Sequence, residues 1–455
     1  MDIFKEIKKI VEYQNSQLPK HDRKSENAIN IIVDRIINDY QNNNFDFSKF
    51  TDIQIKQADK IRHTKMYPAF SSEETLCIYL KRLLDRKFHI KYPNRNEYVH
   101  SLFDIVNALH NMNDYVIFRF DFNDFFNSIS SEYVFKKYIS KSSLERYQLE
   151  LMETYVKSTK FAYAGLNTSN IICEIISKHF DEILSLKFKD SGLIFYRRYI
   201  DDGILIFNKR ISESFCLSII NETIKEVFLD NEILSSKKCK TKLNNGKSKY
   251  ISIFNLSTSN TSDKFNYLGY EFVLTPYSKP SGQISTKFKY GITQKKIDKY
   301  TKRISDIVQD YLSHQNIELL RHQIKAFSFR TVYQIEKYKT FIWKTKGFIS
   351  NYQELRFRLD LLTTETEKFL RDGIKDAFVN NGVPIPYFLK TNEDESIYNL
   401  YNNLKKYRTL LFVEPIGIKN ETLIKMCKQI EIPVDGSKDY DGLVREYLIK
   451  TKVGH

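Results

Sequence analysis

Apolar positions recur at helical spacing through the first sixty residues: Ile7, Ile10 and Val11, then Ile29, Ile32, Val33, Ile36 and Ile37, with polar runs such as QNNN (41–44) between them. The pattern predicts an N-terminal helical region over 1–60. From about 61 to 290 it becomes mixed. Short β-like runs (VIFRF 116–120, LIFYRRY 193–199, GILIF 203–207, YISIF 250–254) alternate with helical stretches. Such alternation predicts an α+β layer with helices on one face of a sheet. From 291 to 410 the chain reads as helical again. Thr293 stands where a cap belongs, ahead of one stripe made by Ile297, Tyr300, Ile304, Ile307, Val308 and Tyr311. The last segment, 411–455, reads as helix, extended turn, helix. Leu423, Met426, Cys427, Ile430, Ile432, Val434, Leu443, Val444 and Leu448 would form its small core.

Composition narrows the class. A chain of 455 residues, 42% hydrophobic and 28% charged, is long and apolar enough for two or three domains with proper cores. Gly and Pro, at 14 and 9, are too scarce for long flexible linkers. Lys and Arg exceed Asp and Glu by 71 to 56, a surplus of +15 that favours a polyanionic partner through counterion release. The surplus peaks over 286–350, with 14 basic against 5 acidic residues. Phe288, Tyr290, Phe327, Phe329, Tyr333, Tyr338 and Trp343 interleave there. Such a stretch reads as a groove for a nucleic-acid backbone or, more plainly, as a solvated helix face over core aromatics.

Five scattered cysteines (Cys77, Cys173, Cys216, Cys239, Cys427) form no CxxC pair. They indicate neither a zinc site nor a disulfide framework, but reduced thiols in a cytoplasmic protein. MDIFKEIKKI starts an amphipathic helix and is no signal peptide. No apolar run is long enough to span a membrane.

The chemistry is concentrated in carboxylates. Asp201-Asp202 is the only adjacent Asp pair, set between two apolar runs in FYRRYIDDGILIF. Asp-Asp-Gly is also good turn chemistry, with Gly203 supporting the turn, and on this segment alone turn and metal site are equal readings. The second segment, VIFRFDFNDFFNSIS (116–130), is an apolar strand ending in Asp121, with Asp124 three residues on and Ser130/Ser131 as the cap of a helix through YVFKKY. A strand-end carboxylate beside a hairpin pair is what two Mg²⁺ ions about 3.5–4 Å apart require, since they take hard oxygen ligands. Neither segment holds a His or Cys.

These segments carry a resemblance. The order strand-helix-strand-strand resembles the ferredoxin-like split unit. DFNDFFNSI resembles the first palm motif of reverse transcriptases, YIDD (199–202) their YxDD box, and FNYLGYEF (265–272) their primer-grip hairpin. The resemblance implies a right-hand polymerase with fingers and palm over 61–290, followed by an α-helical C-terminal region with a basic, thumb-like or repeat-like part over 291–410. It implies a nucleotidyltransferase whose metal ligands are Asp121, Asp201 and Asp202, holding two Mg²⁺ or Mn²⁺ ions. Phe126 matches the aromatic gate that excludes a 2′-hydroxyl. Lys91 and Arg95, in KFHIKYPNRNEYVHSLFDIV (87–106), are candidates for the triphosphate. Lys238, in SSKKCKTK (235–242), is the candidate to protonate pyrophosphate, with Lys237 or Lys240 fitting nearly as well. Tyr199, Gly165, Tyr267, Leu268 and Gly269 are the candidates for primer and template.

One motif departs from the family's pattern. AYAGLNTSNIICEIISKHFDEIL (162–184) keeps Gly165-Leu166 and an apolar helix but lacks the second glycine and the Pro-Gln of the usual loop. With Glu174, this is more similar to prokaryotic abortive-infection and defence-associated reverse transcriptases, some of which make DNA without a template. The resemblance therefore implies DNA synthesis from dNTPs in antiphage defence, untemplated or protein-primed. The alternative is RNA-templated copying, as in a retron or mobile intron. A catalytically inactive nucleic-acid-binding protein is a third reading. The partners implied are DNA or RNA and dNTPs, with no membrane and with homo-oligomerisation left open. The 420–448 segment resembles a SAP-like DNA-binding module, and a hairpin of helices docked on the main body is the plainer reading.

Overall fold

The structure is a computed structural model that describes residues 2–18, 22–57, 60–337, 340–390, 398–434 and 438–452. They fall into two compact units, one made of 1–15, 24–94 and 112–259, the other of 16–23, 95–111 and 260–455. The chain is a mixed α/β protein with helices and four small sheets among the described residues.

The first unit opens with helices Ile3–Ser16 and Glu26–Gln41. Ile3, Ile7, Ile10 and Val11 are buried on one, Ile29, Val33 and Ile36 on the other. Ser25 caps the second helix by accepting from the Ala28 N–H. The helical expectation for 1–60 fails beyond this point. Strands β1 (Thr51–Gln57) and β2 (Lys60–Met66) form an antiparallel hairpin. Ile53 and Ile55 alternate with polar residues there, a period-two signal too short to stand out beside the helical one.

The central sheet of this unit is built from β3 (Val116–Asp121), β4 (Leu193–Tyr199), β5 (Asp202–Phe207) and β6 (Lys249–Ser252), in the order β4-β5-β3-β6, antiparallel throughout. Helices intervene between β3 and β4, and helix Glu213–Phe228 between β5 and β6, which gives the βαββαβ order of the split unit. YISIF ends earlier as a strand than its composition suggests, because Ile253 already starts helix Ile253–Ser259.

Period two sorts β3. Phe118 and Phe120 point to one face, where Phe120 meets Phe122 and Phe180, with ring centroids 5.7 and 6.4 Å apart, and Phe228 packs against Phe122 at 5.9 Å. Phe180 comes from helix Ser169–Lys187 and Phe228 from Glu213–Phe228, so these helices cover that face. Arg119 and Asp121 belong to the other face.

Gly203 serves this packing rather than the turn. It pairs with Phe120 across β3–β5, and a Cβ there would stand 2.2 Å from the Phe120 ring. The residue with left-handed backbone in the Tyr199–Asp202 turn is Ile200, at φ +59°. For a β-branched side chain that conformation is strained by about 1–3 kcal/mol.

The second unit begins with β7 (Asp263–Tyr267), β8 (Tyr270–Ser278) and β9 (Ile284–Ile292), a three-stranded antiparallel meander. Phe265, Phe272, Tyr290 and Phe103 pack together, the Phe265 and Phe272 rings stacked at 4.7 Å. Helix Gln294–His314 comes next. Thr293 stands at its N-cap without a side-chain capping bond, and Ile297, Tyr300, Ile304, Ile307 and Val308 are buried as the stripe predicts.

The 291–410 stretch is not wholly helical. Strands β10 (Arg330–Lys337) and β11 (Thr340–Lys346) form a hairpin, and β12 (Thr409–Phe412) pairs parallel to β10. The β-branched and aromatic residues of TVYQI and TFIW favour strands, and the surrounding helical periodicity masks them. Tyr338 lies outside the described residues.

The C-terminal helices Asn420–Gln429 and Tyr440–Lys450 bury Leu423, Met426, Cys427, Ile430, Ile432, Leu443, Val444 and Leu448 in one cluster with Ala326, Phe329, Leu410 and Phe412. The segment is thus a helix pair docked on the body of its own unit. His322 ties it down, with Nδ1 at 3.0 Å from the Tyr447 hydroxyl and Nε2 at 3.1 Å from Gln429 Oε1.

Gly203→Ala should destabilise the first unit by about 1–3 kcal/mol through overpacking against Phe120. Urea unfolding checks this, and an unchanged midpoint would remove the packing role.

Candidate active site

The register of β3 and β5 sets Asp121 directly opposite Asp202. One step on, the Phe122 N–H donates to the Asp201 carbonyl at 3.0 Å, so the pairing continues past both strand ends. The three aspartates therefore gather at one end of the sheet, although 80 residues separate the first from the second in sequence (201 − 121). The Asp121 side chain is 3% exposed and that of Asp202 23%.

Two cations answer them. Arg119 shares a strand face with Asp121 and donates from Nη2 to Asp202 Oδ1 at 2.6 Å. Lys247 Nζ lies 2.8 and 3.1 Å from the two oxygens of Asp121. Asn244 fixes Asp121 from a second side. Its backbone N–H donates to the Asp121 carbonyl at 2.8 Å and its Nδ2 reaches Oδ1 at 3.3 Å.

The charge of Asp201 is poorly placed. Burial, then the neighbouring Asp202 and Asp121, push its carboxyl up to about 6. Burial also raises Asp202, and Arg119 holds part of that rise back.

The donor set fits a hard divalent cation: carboxylate oxygens only, with a charge excess that the protein meets incompletely. As the side chains stand, no group of three or more His, Cys, Asp or Glu among the described residues is placed to hold a metal ion. Asp121 and Asp202 are instead engaged by Lys247 and Arg119.

The hairpin that presents Asp201 is held from below. Arg198, 5% exposed, donates to Asp181 Oδ1 and Oδ2 at 2.9 Å each, to Glu174 Oε2 at 3.0 Å and to the Ile200 carbonyl at 2.7 Å. Glu174 and Asp181 both lie on helix Ser169–Lys187. One buried guanidinium thus clamps the strained Ile200 turn to that helix, with bidentate geometry on Asp181.

Beside the turn lies a cleft of about 250 Å³ lined by Tyr92, Pro93, Phe126, Asn170, Cys173, Glu174, Tyr199 and Ile200. Phe126 is half-buried there, whereas Phe125 is core, stacked on Phe122 at 5.3 Å. Asp124 adopts left-handed backbone at φ +46° and accepts from Asn127 Nδ2 at 2.8 Å, a local structural role.

Gly165, at φ +104°, belongs to a loop fastened to β2. The Lys65 N–H donates to the Ala164 carbonyl at 2.8 Å, and a Cβ on Gly165 would stand 2.6 Å from the Lys65 carbonyl oxygen. Lys91 is exposed, next in sequence to the cleft residue Tyr92. Lys238 is exposed and donates to Asn231 Oδ1 at 3.1 Å.

The remaining candidates belong to the second unit. Tyr267 and Tyr270 pair across a two-residue turn in which Leu268 and Gly269 take φ +49° and +86°, the positive values of a tight hairpin. Arg95 serves this turn: its Nη2 donates to the Leu268 carbonyl at 2.5 Å and its Nη1 to the Asn351 carbonyl at 2.8 Å. The Tyr267 side chain is buried.

Sequence reasoning missed Arg119, Asn244, Lys247 and Arg198. The first had a signal, since period two places Arg119 beside Asp121 on one strand face. Arg198 could be suspected only as an arginine inside an apolar hairpin. Asn244 and Lys247 flank and end the one-turn 3-10 helix Asn245–Lys247, and nothing local points to Asp121.

No protein-family model matches the chain, and no curated protein does. Among solved structures, it is similar at 13% identity and a TM-score of 0.34 to an apo telomerase from Candida tropicalis truncated from its C-terminal domain, over 50% of this chain and 53% of that one. A second, telomerase from Candida albicans in complex with a TWJ fragment of telomeric RNA, is similar at 13% identity and a TM-score of 0.32, over 88% of this chain. The chain thus spans 53% and 63% of the length of these two structures.

Proposed function

We propose that this protein is a nucleotidyltransferase of the reverse-transcriptase type, a DNA polymerase whose site is made by Asp121, Asp201 and Asp202. The observation that carries the reading is the facing of Asp121 and Asp202 across β3–β5, with the half-buried, charge-frustrated Asp201 carboxyl at the hairpin beside them. Two magnesium ions (or manganese) bound by these carboxylates would activate the attacking hydroxyl and stabilise the leaving pyrophosphate.

The chain's own residues divide the other tasks. Arg119 orients Asp202 and neutralises it. Arg198 keeps the Ile200–Asp201 turn in place against its strain. Phe126, with Tyr199, walls the cleft beside the turn, where an aromatic ring beneath the sugar would exclude a 2′-hydroxyl. Lys91 is exposed at the surface for a triphosphate, while the Arg95 guanidinium is already engaged at Leu268. Lys238 is proposed for pyrophosphate, Gly165 and Tyr199 for primer and template, and the Tyr267-Leu268-Gly269 turn for the primer end. Lys247 is a counter-ion of Asp121 that must give way when a metal ion binds.

The altered Gly165-Leu166 loop and the resemblance that includes Glu174 favour a place in bacterial antiphage defence, with synthesis untemplated or protein-primed. RNA-templated copying is the second reading, because the same carboxylate set serves it equally well. One assay separates them. Purified protein is incubated with dNTPs and Mg²⁺, with and without RNA, and the product is sequenced and tested for covalent linkage to protein. Product without RNA supports the first reading and strict RNA dependence the second. No product under either condition leaves a nucleic-acid-binding protein without catalysis.

Asp201→Asn should abolish synthesis while the protein still unfolds cooperatively, and retained synthesis would remove this carboxyl from the site. The same variant should stabilise the metal-free protein at pH 7.5, by up to about 3 kcal/mol. The sign follows from the raised folded value of about 6 against 3.8. Between these two values the folded state holds a proton that the unfolded state has lost, so stability falls as pH rises and the full penalty stands above about 6. The gain should therefore vanish below pH about 4, and a gain independent of pH contradicts this origin.

Phe126→Ala should admit ribonucleotides, read as the ratio of rNTP to dNTP incorporation, and an unchanged ratio removes the gate. Lys247→Ala should lower the metal-free melting temperature yet reduce the Mg²⁺ concentration for half-maximal thermal shift by about two- to fivefold, the scale of a partly exposed ion pair. Weaker Mg²⁺ binding in this variant would show that Lys247 supports the site rather than competing for it.

A further inference from the structure

The β10–β11 hairpin takes no part in the carboxylate site. In the sheet order β11-β10-β12, β11 is an edge strand with an open side among the described residues. Phe341 and Trp343 stand two residues apart on it, so both rings belong to one face. They are 64% and 49% exposed, and Trp343 is the only tryptophan of the chain. Large rings are seldom left so open on a strand, because each forgoes the burial of well over 100 Å². The strand rise separates the two positions by about 7 Å, a gap that a planar base fills with ordinary contact distances on both sides.

Charge selects the occupant. Over 330–346 the sequence holds Arg330, Lys337, Lys339, Lys344 and Lys346 against Glu336 alone, and β11 has no acidic residue. Lys344 is exposed and Lys346 half-buried, and both alternate with the rings along the same strand. A strand of nucleic acid following the open edge would meet rings on one side of the ribbon and, on the other, Lys344 and Lys346 in a cavity where they and Arg23 and Arg445 outnumber Asp439 and Asp441. A second copy of the chain, which could also add a strand to that edge, would bring a like-charged segment against it.

We propose that β11 is a single-stranded nucleic-acid binding element, in which Phe341 and Trp343 stack on bases and Lys344 and Lys346 contact phosphates. It sits within the second unit and does not depend on the carboxylate site. Its recognition is tolerant of sequence, since every base offers a face for stacking.

Trp343 is its own reporter. The full chain is titrated with an oligo-dT of about 16 nucleotides, the upper range of such sites, while tryptophan emission and the anisotropy of a labelled oligonucleotide are followed. Binding should quench the emission. The double variant Phe341→Ala/Trp343→Ala should weaken binding at least about tenfold. Lys344→Glu/Lys346→Glu should weaken it too and flatten the dependence of affinity on salt, by about 1.4 in the log–log slope for two phosphate contacts. All four positions lie on one edge strand, and circular dichroism checks that the variants fold.

Binding without quenching, or affinity unchanged in both variants, overturns the proposal and leaves nucleic acid bound elsewhere. Dissociation of a dimer in the variants, seen by sedimentation, overturns it in favour of pairing between copies. Neither result bears on Asp121, Asp201 and Asp202.

Discussion

The constraint on which the candidate site depends is the antiparallel pairing of β3 with β5. It sets Asp121 opposite Asp202 and carries on to the Phe122–Asp201 bond, concentrating three carboxylates at one end of a small sheet. Such a concentration is unfavourable by itself, since burial and like charge both oppose ionisation. The surrounding residues are arranged around that problem. Arg119 and Lys247 neutralise two of the carboxylates, Arg198 holds the turn that presents the third, and Gly203 leaves room for Phe120 so that the two strands can lie close. A fold that needed only stability would not gather these charges. Their gathering is the observation on which the proposed divalent-cation site rests.

Much of this could be read along the chain. The four sheet strands announce themselves as apolar runs, and β4 matches its expected span of 193–199 residue for residue. The apolar stripe of helix Gln294–His314 and the C-terminal cluster around Leu423, Cys427 and Leu448 are equally visible, because helical periodicity over many residues leaves little choice. Asp121 and Asp201-Asp202 could be singled out because carboxylates inside apolar runs need a reason to be there.

What stayed hidden depends on contacts between distant residues. Lys247 reaches Asp121 from a short 3-10 turn 126 positions away, and no local pattern distinguishes it among so many lysines. The hairpins at 51–66 and 330–346 are short, and their period-two signal is drowned by longer helical patterns beside them. Gly203 was legible as a glycine but not as to purpose: turn chemistry and room for a ring look identical in sequence. Ile200 carried no signal for left-handed backbone, since a β-branched residue is the least expected there. Arg95 was separable from Lys91 only by its partners, which are the carbonyls of Leu268 and Asn351.

Seeing the ions at Asp121, Asp201 and Asp202 would decide whether these carboxylates form a metal site. Crystals of the protein soaked in Mn²⁺ with a non-hydrolysable deoxynucleoside triphosphate would be measured at the manganese absorption edge. Two anomalous peaks about 3.5–4 Å apart are expected, bounded by the carboxylates of Asp121, Asp201 and Asp202, with the Lys247 ammonium displaced from Asp121. Manganese bound elsewhere, with Lys247 still seated on Asp121 and triphosphate absent from the cleft of Phe126 and Tyr199, would contradict this assignment.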